Sequence, residues 1–490
     1  MHKGPLARHY PAVAAMVVCA LVPYLAVSAA LGPITPFVAA DLHMSLQTVA
    51  LTSGMANAGY AVGTVLAVQC AQLLPQRRML LVYGTLLVIG SVLAAGATDA
   101  AMFIVGHVLQ GLCTSLLLIA AVPPLIIDYP ATRLRSTAVI MNVCVFGAVA
   151  LGPVLGGVQA SGHGWRPLFW VNAGIAVAAL ALSVLTFRDT PPAAPGTPID
   201  QMALVLATIG CVAAFFGSAE LLTHPFLDAR TIGPLLGGLL LIAVLFVHEY
   251  LAARPLLCVR SLISTLPVAG VVAAICAAAA SVSAIALTQS VLATRHTPLR
   301  LGLLYLPEFG GAAVAAVVFG IVFRSHLLHY YVLLGLVLLT AGIAVLNGAV
   351  PPTPALVAVG SGLVGIGVGA SVVPALFIAG FSLRSSNVQR VFAIIELLRA
   401  VAAFLIGPVL LYVATTVGSN ADEGTRTALW ICFAIAALGA VIGVALYAAA
   451  GVRPPAPSVD AWMSGQQTGW DSPPLLARLR RSTSADDDCL

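Results

Sequence analysis

Gly147-Ala-Val-Ala-Leu-Gly152-Pro153-Val-Leu-Gly156-Gly157 is the stretch on which the fold turns. It sits inside an apolar run at 136–160, long enough for a helix to cross a bilayer, which takes about 20 residues. In hydrocarbon a glycine-proline run is tolerated only where neighbouring helices pack close to it or a cavity re-satisfies its backbone. The stretch therefore predicts a helix that packs tightly and bends. The plainer reading is a glycine-rich packing face of any multispan protein, so the rest of the chain has to decide.

Composition points the same way. Of 490 residues, 60% are hydrophobic and 8% charged, and mean hydropathy is +1.04. Soluble domains carry about a quarter charged residues, so this is an integral membrane chain. Lys3 is the single lysine against 21 arginines, a usage that fits a high-GC bacterial genome. The net charge of +5 is scattered over short loops and forms no nucleic-acid face. Nine cysteines stand singly, mostly in apolar stretches, without the spacing of a disulfide framework or a metal site. No phosphate loop, HExxH or Gly-x-Ser-x-Gly is present, so neither ATP-driven pumping nor an enzyme is supported, and no cofactor or metal is expected.

Charged and Pro/Gly-rich punctuation divides the chain into fourteen spans, near 10–32, 48–73, 79–97, 101–126, 136–160, 167–187, 201–221, 231–252, 266–292, 302–323, 330–350, 354–381, 390–416 and 427–450. An even count puts both termini on one side. That side collects roughly 16 Lys and Arg, among them Arg77, Arg78, Arg133, Arg135, Arg188, Arg254 and Arg390, against 5 on the other. The positive-inside rule makes it cytoplasmic. Residues 188–199 read as a linker, and 451–490 as a disordered tail with a basic cluster (Arg478, Arg480, Arg481).

Several landmarks follow in order: Pro36…Asp41-Leu42, His107-Val-Leu-Gln110-Gly111, Tyr129-Pro130…Arg135, the Gly152-Pro153 stretch, Trp165-Arg166-Pro-Leu-Phe169-Trp-Val-Asn172, Gln289, and Thr297-Pro298-Leu-Arg-Leu-Gly302-Leu-Leu-Tyr-Leu-Pro307. This set resembles the fourteen-helix drug:proton antiporter branch of the major facilitator superfamily, the multidrug efflux type. The resemblance implies an all-α membrane protein with two six-helix bundles, 1–190 and 261–450, and an inserted helix pair within 191–260. It also implies a substrate site between the bundles, reached by rocking one against the other. There are departures. Val27 stands where the family places an acid in the first span. Anchored on Arg77-Arg78, the second loop offers Gln69, Leu73 and Gln76 in place of Gly, Asp and Gly, and His107 replaces the fourth-span arginine.

A charge at mid-bilayer costs about 2.5–3.5 kcal/mol on insertion scales, so each one needs an account. Glu396 and Arg399 sit at i, i+3 in one span and can pair, either to pin helices or as a cavity-facing pair. Glu308 follows Pro307 and precedes Gly310-Gly311, where a bend would carry its carboxyl toward the centre. His107 lies one turn from Gln110. Glu220 and His248-Glu249 lie near span ends and read as interfacial. The candidate substrate and proton pathway is thus His107, Gln110, Gln289, Glu308, Glu396 and Arg399. Gly147, Gly152, Pro153, Gly156 and Gly157 form the conformational motif, and Arg77-Arg78 a degenerate gating loop. The expectation is a monomeric secondary transporter of the cytoplasmic membrane, exporting amphipathic small molecules against protons. Its rivals are a carrier of one metabolite with other-ion or no coupling, and a transporter-fold sensor or scaffold.

Overall fold

The computed structural model describes residues 4–350, 353–451, 456–465 and 467–475. Among them run fourteen long helices: Tyr10–Asp41 (α1), Leu46–Leu73 (α2), Gln76–Ala95 (α3), Ala100–Ile127 (α4), Ala131–Ser161 (α5), Arg166–Thr186 (α6), Gln201–Glu220 (α7), Ala229–Leu251 (α8), Thr265–Leu292 (α9), Pro298–Val322 (α10), Leu328–Gly348 (α11), Pro354–Phe381 (α12), Val388–Thr416 (α13) and Ala421–Ala450 (α14). Thirteen are long and apolar enough to cross a membrane. The fourteenth, α2, has the length but carries Thr52, Ser53, Asn57, Gln69 and Gln72, which point it toward protein rather than lipid. Its two ends reach the same two faces as its neighbours: Gln47 bonds Thr223 at one, and the Gln72 carbonyl accepts Ala194 N–H at the other.

Helix starts follow their caps. The side chains of Ser45, Asp99, Asp200, Asp228 and Asn420 accept backbone N–H groups of the first turns of α2, α4, α7, α8 and α14. Pro11, Pro167, Pro298 and Pro354 stand in first turns, where a missing N–H costs nothing. Helix α5 is interrupted by a π-helical turn at Val143–Gly147, immediately before the glycine-proline stretch, and Pro153 removes a further backbone donor inside it. The expected irregular helix is present, with its wide turn one step earlier than the proline suggests.

Helices α1–α6 pack mainly among themselves (α1 on α5 and α6, α2 on α4, α3 on α4 and α6), as do α9–α14 (α11 on α12, α10 on α12, α9 on α12, α13 and α14). Helices α7 and α8 pair with each other, and α7 leans on α2 and α13. The two halves meet along α5 against α10 and α2 against α13.

One end of the molecule, here the terminal face, gathers the chain start and the loops around 128, 188 and 258. Tyr129 and Arg188 both donate to the Ala7 carbonyl, and Arg188 pairs with Asp128 at 2.8 Å. At the far face, Asp41 accepts from Trp165 Nε1 at 3.0 Å and pairs with Arg166 at 2.8 Å, joining two of the sequence landmarks. The expectation of a disordered tail fails for its described part. Residues 456–465 and 467–475 lie on the terminal face, held by Trp462 and Trp470, whose large apolar rings are 2% and 3% exposed. The basic cluster at Arg478, Arg480 and Arg481 falls outside the described residues.

Candidate functional site

The glycines decide how closely helices approach. A side-chain carbon on Gly152 would run into Ala29 and Ala30, and one on Gly156 into the Ala30 carbonyl, so these two seat α5 on α1 within one half. Gly157 instead backs onto Pro298 and Leu299, and Gly302 onto Pro153 and Val154, bringing α5 against α10 of the other half. Gly147 faces the Phe309 ring across the same seam. The motif read from sequence therefore does two jobs, and Gly157 rather than Gly156 marks the seam between halves. Elsewhere Gly59 and Gly63 lie on α4, and Gly365 on the α10 backbone at Glu308, as packing faces.

Between the halves lies a cavity of about 330 Å³, on the far-face side of the molecular centre. Helices α1, α2, α7, α9 and α13 wall it. Its polar lining is Ser28, Thr35, Ser53, Asn57 and Ser218, and the remainder is Ala, Gly, Pro, Val, Leu and Phe. No charged side chain lines it. The part played by α7 was not legible in the sequence, where 201–221 read simply as an inserted span.

One turn further toward the terminal face, the halves are clasped. Arg399 Nη2 and Nε lie 2.6 and 3.0 Å from Glu396 Oε2, with both residues under 5% exposed. Tyr60 of α2 joins them from the opposite half: its hydroxyl donates to Glu396 Oε2 and accepts from Arg399 Nη2, both at 3.2 Å. Asn57 and Ala403 of the cavity wall sit one turn from Tyr60 and Arg399. The pair expected at i, i+3 is formed, and Tyr60 is the partner the sequence reading missed. A signal existed: tyrosines in spans favour the interface, and one at mid-helix beside Gly59 is out of place there.

Tyr60 stacks on Tyr24, with ring centroids 6.2 Å apart, and Tyr24 lies 5.7 Å from the His107 ring. His107 Nδ1 and Gln110 Oε1 are 3.0 Å apart, and Gln110 Nε2 donates to Ser91. His107 Nε2 has no hydrogen-bond partner among the described residues, and Phe103 and Phe169 enclose its ring. His107 and Gln110 are thus one buried unit of the first half, connected to the clasp through Tyr24. Glu308 lies in α10, 7% exposed, with Oε2 unpartnered among the described residues. Tyr305, one turn away, donates to Thr288 at 2.7 Å, next to cavity-lining Leu287. Gln289 follows Thr288, and its Nε2 is buried without a partner among the described residues. The six sequence candidates therefore fall into three groups, not one.

Closer to the terminal face, Asn142 Nδ2 donates to the Gly369 carbonyl (2.7 Å) and Gln389 Nε2 to Ile119 (3.1 Å), two more bonds across the seam. Arg77 and Arg78 are exposed, and Arg77 lies over the Phe187 ring at 4.5 Å, so among the described residues this loop makes no charged latch to the other half. Glutamines hold the loop instead. Gln69 Oε1 accepts Asp200 N–H, and Gln76 exchanges bonds with Thr190.

Asp200, His248 and Glu249 bring ligand-type atoms within 4.8 Å of one another at the ends of α7 and α8. Asp200 caps α7 and pairs with His248 at 3.3 Å, while Glu249 accepts Leu257 N–H at 2.8 Å. Those bonds make the group a staple of the inserted helices. Glu220, the other interfacial acid, pairs with His224 at 2.9 Å.

The described helices thus form two packed halves with a cavity between them and a clasp one turn below it. The model of the Major Facilitator Superfamily matches residues 16–251. Relatives include the Multidrug resistance protein B homolog of Mycobacterium tuberculosis, 26% identical over 69% of this chain and 64% of its own length. The Tetracenomycin C resistance and export protein of Streptomyces glaucescens is 27% identical over 59% and 54%. The Drug efflux pump JefA of Mycobacterium tuberculosis is 27% identical over 71% and 73%. The chain thus spans less than two thirds of the length of the first two. Among solved structures, the human organic anion transporter MFSD10 (TETRAN) superposes with a TM-score of 0.62 at 12% identity, over 89% of this chain and 99% of its own. The proton:xylose symporter XylE gives 0.61 at 11%, over 89% and 95%. Residues 16–251 are thus similar to the major facilitator superfamily, and the relatives the chain resembles carry names of the multidrug resistance and efflux type.

Tyr60→Phe removes both cross-half bonds of the clasp while keeping the ring. Hydrogen bonds to charged groups contribute about 1.5–3 kcal/mol, so exchange between conformers should change by an order of magnitude or more. Single-turnover transport in vesicles checks this, and a wild-type rate would show that the Tyr60 bonds of the clasp do not set the exchange.

Proposed function

We propose that the chain is a secondary active exporter of amphipathic small molecules across the cytoplasmic membrane, driven by proton entry, with both termini cytoplasmic. One observation carries the reading: an uncharged, mostly apolar cavity lies between the halves, one turn above a clasp made of both. Such a lining desolvates a greasy neutral or weakly cationic solute at little cost and offers no fixed charge to a sugar phosphate. With the terminal face bonded shut and the cavity on the far side, this conformation corresponds to the stage at which substrate leaves. The structural units we infer are 1–190, 191–260 and 261–450, the first and last rocking about the α5–α10 and α2–α13 seams.

The decisive measurement is substrate-induced pH change in proteoliposomes carrying the purified protein. Amphipathic cations or neutral drugs should move protons across the bilayer in the opposite sense. A second reading, carriage of one metabolite with another ion or none, is favoured by Val27, which is 1% exposed where the resemblance places an acid. Transport without pH change would select it.

Topology has its own check. Tags within 188–199 or after Leu490 should be shielded from an impermeant thiol reagent in intact cells, and one within 418–426 should label. Labelling of the tail would end the fourteen-span arrangement.

A further inference from the structure

The terminal face carries a feature for which the reading above has no role: the chain after α14 returns and is built into it. A short helix, Val459–Met463 (α15), opens with the Ser458 carbonyl accepting Trp462 N–H, and Trp462 Nε1 donates to the carbonyls of Gly380 (3.1 Å) and Leu383 (2.8 Å). Gly469 and Trp470 N–H both donate to the Phe381 carbonyl. Gly380 and Phe381 end α12, where the last carbonyls lack helical partners, and Leu383 follows just beyond it. The Phe381 ring meets Trp462 and Trp470 edge-on, at 5.0 and 5.9 Å. At the start of α9 the tail does the converse: Pro473 accepts Thr265 N–H, and Ser472 Oγ accepts Leu266 N–H. Asp460 reaches Arg324 beyond α10.

All these bonds attach the tail to the C-terminal half. On its other side α15 lies against α5 of the N-terminal half, which it meets by packing. Tail and C-terminal half therefore move as one body, and the tail stands in the path along which α5 must separate when the terminal face opens.

We propose that residues 456–465 and 467–475 are a strap that favours the closed terminal face, an autoinhibitory contact whose release lets the cytoplasmic entrance open. The placement explains why two tryptophans are spent on a surface segment. A tail that only capped α9 and α12 would need no contact with α5. The strap rests on the alternating-access reading above, but its test records conformation and needs no substrate or proton flux.

The test uses single-cysteine variants of the otherwise cysteine-free full chain in nanodiscs. Ala120→Cys reports on the closed terminal side, where Ala120 is 2% exposed beside the Gln389–Ile119 bond, and Ser53→Cys reports on the cavity. A protease site placed at 452–455 allows the tail to be cut after folding. Trp462→Ala, combined with the cut, frees it, and release is verified by loss of its mass from the washed protein. Release should raise maleimide labelling at Ala120→Cys several-fold and lower it at Ser53→Cys. Unchanged labelling at both positions after verified release overturns the strap. Should Trp462→Ala prevent folding, cutting the otherwise unaltered tail and removing it with mild denaturant gives the same two readings. A fall at Ala120→Cys would also refute the proposal.

Discussion

Arg399→Ala and Glu396→Gln should fail in different ways. The alanine strands a carboxylate that is 3% exposed and left, among the described residues, with the Tyr60 hydroxyl alone, and breaking a buried pair from one side costs about 3–5 kcal/mol. Domain stability is only about 5–15 kcal/mol, so the variant should melt well below wild type in detergent and express poorly. Glu396→Gln keeps the volume and an acceptor for Arg399 but cannot carry a titrating proton. It should fold and bind substrate, yet lose gradient-driven accumulation. Glu308→Gln should do the same, because Glu308 Oε2 has no hydrogen-bond partner among the described residues for the amide to lose. Binding by scintillation proximity and uptake into everted vesicles under an imposed pH gradient separate the two effects. If Glu308→Gln, Glu396→Gln and His107→Gln all retain full proton-coupled transport, these groups do not carry the proton, and the uncoupled reading takes over.

Gly157→Leu should abolish transport in a protein that still inserts and folds. A side chain there meets the backbone at Pro298 and Leu299, which cannot rotate away, and it does so across the seam between halves. Overpacking of this kind costs about 1–3 kcal/mol, enough to shift a two-state equilibrium by one to two decades without unfolding either half. Gly152→Leu and Gly156→Leu collide with α1 inside one half, so their effect should appear in yield and melting temperature. Fluorescence size-exclusion profiles beside vesicle uptake distinguish these outcomes. Wild-type transport by Gly157→Leu would mean that the α5–α10 seam does not close tightly in the working cycle.

Span number was legible because lipid imposes a local rule: each crossing needs its own unbroken run of apolar residues with every backbone group bonded inside it. Even α2 betrayed itself, through length and punctuation, although its polar residues make it the least apolar of the set. The Glu396–Arg399 pair was legible for the same reason, since i, i+3 spacing lies within one helix. The glycine-proline stretch announced close packing on α5. Whether each glycine faced α1 or α10 depended on where those helices lie, and that assigned Gly157, not Gly156, to the seam.

What tertiary structure alone decided were the meetings of residues hundreds of positions apart. Tyr60 reaches Glu396 across 336 residues, and Asn142 reaches Gly369 across 227. The cavity takes a wall from inserted α7, and a tail read as disordered from its Pro/Ser content closes over α9 and α12. Composition describes the solubility of a segment taken alone; two tryptophans and a row of unpaired helix-end groups supplied by other helices are what gave this one a place to bind. Sequence by itself determined the helices and their polar exceptions, because those answer to the bilayer residue by residue, while the clasp, the cavity and the seat of the tail answer only to how the helices are placed against one another.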